Sequence, residues 1–193
     1  MGNAFKFLRV DASSKLIFFL ICLLASGLLE ASNFRVEDVH TRFVEKVLHL
    51  DADITIQFDS EELDALRNGV ALTMIVDMEV ARERVYLWDH TIAELNSRQQ
   101  LSMHALSGQF VLKNLNSKTS RAYRTLDGAL EALGNLRDFP VLDTHLLQGT
   151  GPYYLRLRAR LDIEALPSPL RPIAYLRALW GKTSEWKICQ IEK

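Results

Sequence analysis

The sequence predicts a mainly β, α+β fold: an antiparallel β-sandwich with two or three short helices, preceded by an N-terminal hydrophobic signal or anchor helix. Three observations carry this. Several stretches alternate apolar and polar residues with a period of two. Short amphipathic stretches with capping residues interrupt them. An uncharged run stands near the start, behind clustered cations.

That run is Leu16 to Leu29, preceded by Lys6, Arg9 and Lys15 and followed by Glu30, Glu37 and Asp38. A basic flank, a short apolar run and then small residues is the layout of a secretory signal. The positive side stays in the cytoplasm, so everything after residue 30 is expected to be translocated. The expected location is periplasmic, exported or tethered to the inner membrane by residues 16–29. The run is short for a spanning helix, which needs about 20 apolar residues. Ala25-Ser26-Gly27 offers small residues to a signal peptidase, and Leu29-Glu30-Ala31 is a poorer alternative. Cleavage and retention as an anchor both stay open. A buried helix of a cytoplasmic protein is disfavoured, because the run is apolar on every side. Leu20 and Ile21 before Cys22 oppose a lipoprotein signal, and Lys6 occupies the place where myristoylation needs Ser or Thr. Residues 1–32 are therefore expected to be a signal peptide or signal anchor, and 33–193 a single extracytoplasmic β-rich domain.

The first strand signal is Leu48, Leu50, Ala52, Ile54, Ile56 and Phe58, alternating with His49, Asp51, Asp53, Thr55 and Gln57. Asp59-Ser60-Glu61-Glu62 then opens a short helix through a capping box, and Asn68-Gly69 stops it. Val70, Leu72, Met74, Val76, Met78 and Val80 restore the alternation. Its parity shifts around Ala81 to Arg84, with Val85 and Leu87 as the next apolar positions, which predicts a bulge or tight turn. Leu101–Leu106 and Gln109–Leu112 read as a strand pair around Ser107-Gly108. Thr125 caps a second helix with Leu126, Ala129, Leu130 and Leu133 on one face. After the turn residues Gly149-Thr150-Gly151-Pro152, Tyr153 to Ile163 is the clearest strand of all. Strands that follow one another without intervening helices argue for antiparallel pairing.

With 193 residues, 48% of them hydrophobic and 24% charged, the chain can bury a sizeable core. A net charge of −1 gives no electrostatic footing for nucleic acid. Of the two cysteines, Cys22 lies in the apolar run, which leaves Cys189 alone in the expected domain, as a small buried residue.

Several stretches together resemble a known family. They are Leu63-Asp64-Ala65-Leu66-Arg67-Asn68-Gly69-Val70, then Leu101-Ser102-Met103-His104-Ala105-Leu106-Ser107-Gly108-Gln109-Phe110. Tyr123-Arg124-Thr125-Leu126 with Ala129-Leu130 follows, and then Arg160-Leu161-Asp162-Ile163 running into Leu166-Pro167-Ser168-Pro169-Leu170-Arg171-Pro172. In order and spacing they resemble the bacterial exported family of domain of unknown function 4390. The resemblance covers nearly all of the chain after the apolar run. It implies no activity and transfers no catalytic residues. It also implies a gene neighbourhood with a membrane-bound sensor kinase, a lead towards a partner.

Two residue sets offer chemistry. His49, Asp51 and Asp53 share one strand face, and a His with two carboxylates is a partial metal set. The simpler account is the wet face of an amphipathic strand. Arg156, Arg158 and Arg160 form a cationic ladder beginning at Tyr154, suited to an acidic protein or an anionic lipid surface. The simpler account is cross-strand pairing with acids such as Asp77 and Glu79. Ser102 and His104 share a face but bring no orienting acid, so they make no dyad. Gly149-Thr150-Gly151 precedes a strand rather than a helix, so it is a turn rather than a phosphate cradle. Pro169-Leu170-Arg171-Pro172 reads as a rigid connector.

The sequence thus favours a non-catalytic interaction module with a protein partner, the membrane contacted through the N-terminal segment, and no cofactor. The alternatives are a metal-dependent or hydrolytic periplasmic enzyme using His49, Asp51, Asp53 or His104, and a binder of anionic lipid surfaces. The topology is directly testable. A reporter fused after Lys193 is expected to be active only outside the cytoplasm, and activity confined to a cytoplasm-dependent reporter would overturn the predicted location.

Overall fold

The period-two alternation resolves into two antiparallel sheets in a computed structural model of the chain, which describes residues 34–84, 88–149, 151–172 and 183–192. The N-terminal segment and the apolar positions Val85 and Leu87 lie outside the described residues. Strands β1 (Phe34–Val44), β2 (Val47–Ile56) and β7 (Asn135–Asp143) form a three-stranded sheet in the order β1-β2-β7. The larger sheet takes β3 (Leu72–Arg82), β4 (His90–His104), β5 (Gln109–Asn114), β6 (Ser120–Tyr123), β8 (Tyr153–Leu161) and β9 (Lys187–Ile191) in the order β6-β5-β4-β3-β8-β9. Two helices, α1 (Ser60–Arg67) and α2 (Leu126–Gly134), complete a mainly β, α+β fold among the described residues.

Pairing of β3 with β8 places Met78 beside Leu157 and Val80 beside Leu155, all of them buried. Phe34, Leu48 and Leu50 of the smaller sheet belong to the same core cluster, as do Leu66 of α1 and Ala129 and Leu133 of α2. Full burial of each large aliphatic side chain contributes about 1.5–3 kcal/mol.

Both helices start where their capping residues predict. The Asp59 carboxylate accepts from the Glu61 and Glu62 backbone N–H groups, and the Glu62 carboxylate accepts from the Asp59 N–H. This reciprocal satisfaction is the capping box. Gly69 then ends α1 with φ +81°, a conformation that costs a residue without Cβ little. The Thr125 hydroxyl accepts from the Gly128 N–H at the start of α2. At its other end Gly134 lies against the Ile54 carbonyl, where an added Cβ would collide with backbone. That close approach lets the chain leave α2 directly into β7.

Several elements differ from the sequence-based expectation, each for a local reason. In β1 the apolar phase breaks because Glu37 is an extra residue: Val36 pairs Ile54 and Asp38 pairs Asp53. Phe34 and Val36 point inward before the bulge, and Val39 and Phe43 pack on the core after it. The bulge expected near Ala81 is a register shift of β3 against β4, where Ile92 is the extra residue between Thr91 and Ala93. β3 itself stays in phase with β8 as far as Arg82. β4 starts at His90 rather than Leu101, because Ser97 and Gln99 take inward positions where apolar residues were expected. It ends at His104, and a turn closed by Gly108 N–H to the His104 carbonyl leads into β5. β7 is hidden by Pro140 and by a bulge in which Asp51 faces Arg137 and Asp138 together. β8 ends at Leu161 rather than Ile163, and Ile163–Ala165 form a 3-10 turn. The segment after it, read as a rigid connector, contains a turn closed by Leu170 N–H to the Pro167 carbonyl. Cys189 is half-buried on β9. No helix among the described residues is long and apolar enough to cross a membrane.

Leu157 is 0% exposed, so Leu157→Ala is expected to destabilise by about 2–5 kcal/mol through lost burial and a cavity. Arg158→Ala, on the opposite face, should cost far less. Chemical denaturation midpoints of the two variants check the strand phase, and comparable shifts would contradict it.

Candidate functional site

The outward face of the larger sheet is built on β3 and β8. Because side chains alternate, the residues between the buried apolar positions of β8 are Tyr154, Arg156, Arg158 and Arg160. Antiparallel register sets Glu79 opposite Arg156 and Asp77 opposite Arg158. Arg156 donates through Nε and Nη2 to Glu79 Oε2 at 2.9 and 2.6 Å. Glu79 Oε1 accepts from the Thr91 hydroxyl at 2.9 Å. Asp77 Oδ2 accepts from Arg158 Nε at 3.3 Å and from Arg160 Nε at 2.7 Å. The three arginines are therefore paired across the strands. Hydrogen bonding to Glu79, the largest influence, raises the pKa of Arg156 despite some desolvation.

Aromatic residues cover this ladder. The Trp186 ring lies 4.8 Å from the Arg156 guanidinium carbon and 4.5 Å from that of Arg158, within cation–π range. Ile188 of β9 pairs with Arg156 and is 58% exposed. The Tyr154 hydroxyl donates to Asp89 Oδ2 at 2.7 Å, which ties the β3–β4 connection to β8. Its neighbour Trp88 is 93% exposed. Trp, Tyr and Arg are the types enriched at the energetic centres of protein interfaces. Here the arginines are held by the carboxylates of Asp77 and Glu79.

His49, Asp51 and Asp53 share one face of β2, and each is engaged by residues of β1 or β7. Asp51 pairs with Arg42 of β1 and accepts the Asp138 backbone N–H at 2.7 Å. His49 Nδ1 lies 2.8 Å from Asp138 Oδ1, and Arg42 Nη2 donates to that same oxygen at 2.7 Å. Arg137 reaches Asp53 Oδ1 at 2.5 Å and the Ala52 carbonyl at 3.0 Å. Together these contacts hold the β7 bulge, where Asp138 adopts φ +52°. Among the described residues, no three of His, Cys, Asp and Glu are grouped so as to hold a metal ion. Ser102 and His104 also take separate partners: Ser102 donates to the Val111 carbonyl, and His104 Nδ1 lies 3.2 Å from the Ser107 hydroxyl.

Sequence reasoning found the arginine ladder and its acidic partners. It missed Trp88, Trp186 and Ile188. Ile188 belongs to the unrecognised strand β9, whose five residues Lys187–Ile191 carry no regular apolar–polar alternation. The two tryptophans lie in connections, which carry no periodicity.

The hydrogen bond to Asp89 is the largest cause raising the Tyr154 pKa above its ordinary value of 10.0. A raised phenol pKa makes a stability contribution that is complete below the unfolded value and is lost as pH rises through the folded one. In an alkaline titration followed by tyrosinate absorbance, Tyr154→Phe should remove a late-ionising phenol. Asp89→Asn should move that ionisation back towards the usual range, and an unchanged curve in both variants would contradict the contact.

No curated protein and no solved structure matches the chain. A family model does match it, over residues 31–190, and with this extent of agreement the chain belongs to the family described as Domain of unknown function (DUF4390).

Proposed function

We propose that the chain is a non-catalytic interaction module at the outer face of a bacterial inner membrane, exported or tethered there by residues 16–29. Its two sheets, sharing one core, are read as the layers of a β-sandwich. The docking surface is the outward face of the larger sheet, with Trp88, Trp186 and Ile188 as its anchors. One observation carries this reading: Trp186 and Ile188 stand exposed beside arginines already oriented by Asp77 and Glu79. Leaving Trp88 in water has no evident benefit to the fold, and burying it against a partner would recover its apolar area.

The same pairing favours a protein over an anionic lipid surface. Two carboxylates within the ladder offset much of its positive charge, which weakens attraction to headgroups. The resemblance to a family encoded near a membrane-bound sensor kinase makes the extracytoplasmic part of such a kinase the favoured partner.

Cross-linking in intact cells, followed by identification of what is captured, tests the proposal. Trp88→Ala should change stability by no more than about 0.5 kcal/mol, as expected for an exposed site. It should weaken capture by roughly 30-fold, the loss of a hot-spot residue worth about 2 kcal/mol. Arg160→Gln, which touches Asp77 and leaves Trp186 in place, is expected to retain capture. Equal capture by the Trp88 variant and the parent protein would sink the assignment of this face.

A further inference from the structure

β2 closes at Ile56, opposite Phe34 at the start of β1, and leads through α1 into β3. In that connection the Phe58 ring packs edge-on against Phe34, 6.4 Å between centroids. The start of β1 therefore lies at the same end of the domain as the start of β3. Pairing of Leu72 with Leu101, and of Leu101 with Leu112, brings the β4–β5 turn to that end as well. β4 runs on from Leu101 to His104, which carries the turn outward by about 10 Å at the usual rise of a strand. The β1–β2 turn, the end of β3 and the start of β8 occupy the opposite end.

At the tip of the β4–β5 turn Leu106 is 95% exposed. Gly108, at φ +68°, donates its N–H to the His104 carbonyl and closes the turn. The Ser107 hydroxyl lies 3.2 Å from His104 Nδ1 and braces it. The backbone thus holds the leucine out in the solvent. Turn tips favour Gly, Asn, Asp and Ser, each for a backbone reason that leucine does not share. His104-Ala105-Leu106-Ser107-Gly108-Gln109 also contains no carboxylate, the kind of group whose removal from water is costly.

Only Glu30 to Asn33 separate the apolar run from Phe34. Fully extended, the chain from Leu29 to Phe34 reaches at most about 18 Å. The headgroup layer takes about 5–8 Å of that, since a bilayer about 40–45 Å thick encloses about 30 Å of hydrocarbon. A tethered domain therefore keeps the start of β1 within about 10 Å of the lipid surface. The projecting turn closes a gap of that size. We infer, on the reading that residues 16–29 tether the chain, that the β4–β5 turn is a membrane contact. Leu106 enters the boundary between headgroups and acyl chains of the periplasmic leaflet. Such a contact works through buried apolar area and needs no anionic headgroup. Trp88 follows the end of β3 at the opposite end of the domain, clear of the bilayer, so the docking proposed above is left unobstructed.

The test places the full chain in phosphatidylcholine vesicles whose acyl chains are brominated near the ester, where bromine quenches indole fluorescence on contact. Leu106→Trp is expected to lose its added emission to the brominated lipid and to emit at shorter wavelength. Val44→Trp, at an exposed position beside the β1–β2 turn, should be quenched no more than the parent protein, whose own tryptophans set the baseline. Both variants change exposed side chains and should keep the parent's denaturation midpoint. Adding phosphatidylglycerol should leave the quenching unchanged, and quenching confined to anionic vesicles would overturn an apolar contact. Full chain that fails to sediment with the vesicles would overturn the tether and the contact together. Full chain that sediments while Leu106→Trp is quenched no more than Val44→Trp would overturn the contact and leave the tether standing. Emission that lipid leaves unquenched, and that only added inner-membrane protein shields from acrylamide, would give the turn to a protein partner and overturn the contact too.

Discussion

The register between β3 and β8 is the constraint on which the rest of the fold depends. On the inner side it brings Val76, Met78 and Val80 beside Ala159, Leu157 and Leu155. On the outer side the same register sets Asp77 and Glu79 beside Arg158 and Arg156. A slip of one residue would carry the arginines into the core and the leucines into water. Burial and charge pairing therefore select the same alignment, although they differ in weight. Each buried leucine contributes about 1.5–3 kcal/mol, whereas an exposed ion pair contributes about 0–1 kcal/mol. The hydrophobic face sets the register, and the charges add discrimination against alternatives. β4 and β9 extend the sheet from this central pair.

Where the strands depart from regularity, polar side chains stabilise the departure. The Arg137–Asp138 bulge would leave the Asp138 N–H without a ladder partner, and the Asp51 carboxylate accepts it. Arg42 and His49 then hold the Asp138 carboxylate, and Asp53 holds Arg137. The His and two Asp residues that share a face of β2 thus clamp the bulge of its neighbour. The bulge in turn spoils β7 as an edge for further pairing, with Pro140 adding to the effect.

The two proposed surfaces use different parts of one sheet and different physics. The Trp186 face offers exposed aromatic area on arginines that carboxylates have already oriented, which lowers the conformational entropy lost on docking. The β4–β5 turn offers one exposed leucine at its tip.

The sequence by itself determined the elements whose pattern is uninterrupted. β2, β3 and β8 are legible from period-two alternation, and α1 and α2 from Asp59, Glu62 and Thr125 at their starts. Even the pairing of the arginine ladder with Asp77 and Glu79 was legible, since charges on the wet faces of two antiparallel strands meet when their dry faces do. Tertiary structure alone decided β1, β7 and the first half of β4. A single extra residue such as Glu37 or Ile92 reverses the phase on which a periodic reading relies. Ser97 and Gln99 face inward because β3 pairs with them, against their own polarity. Trp186 is held over Arg156 and Arg158 by a contact between residues far apart in the chain, and Leu106 shares an end of the domain with the start of β1 only because α1 joins the two sheets there. Local pattern reports which face of a strand is dry. Which strands become neighbours, and what their edges leave open, follows from long-range packing that no window of sequence contains.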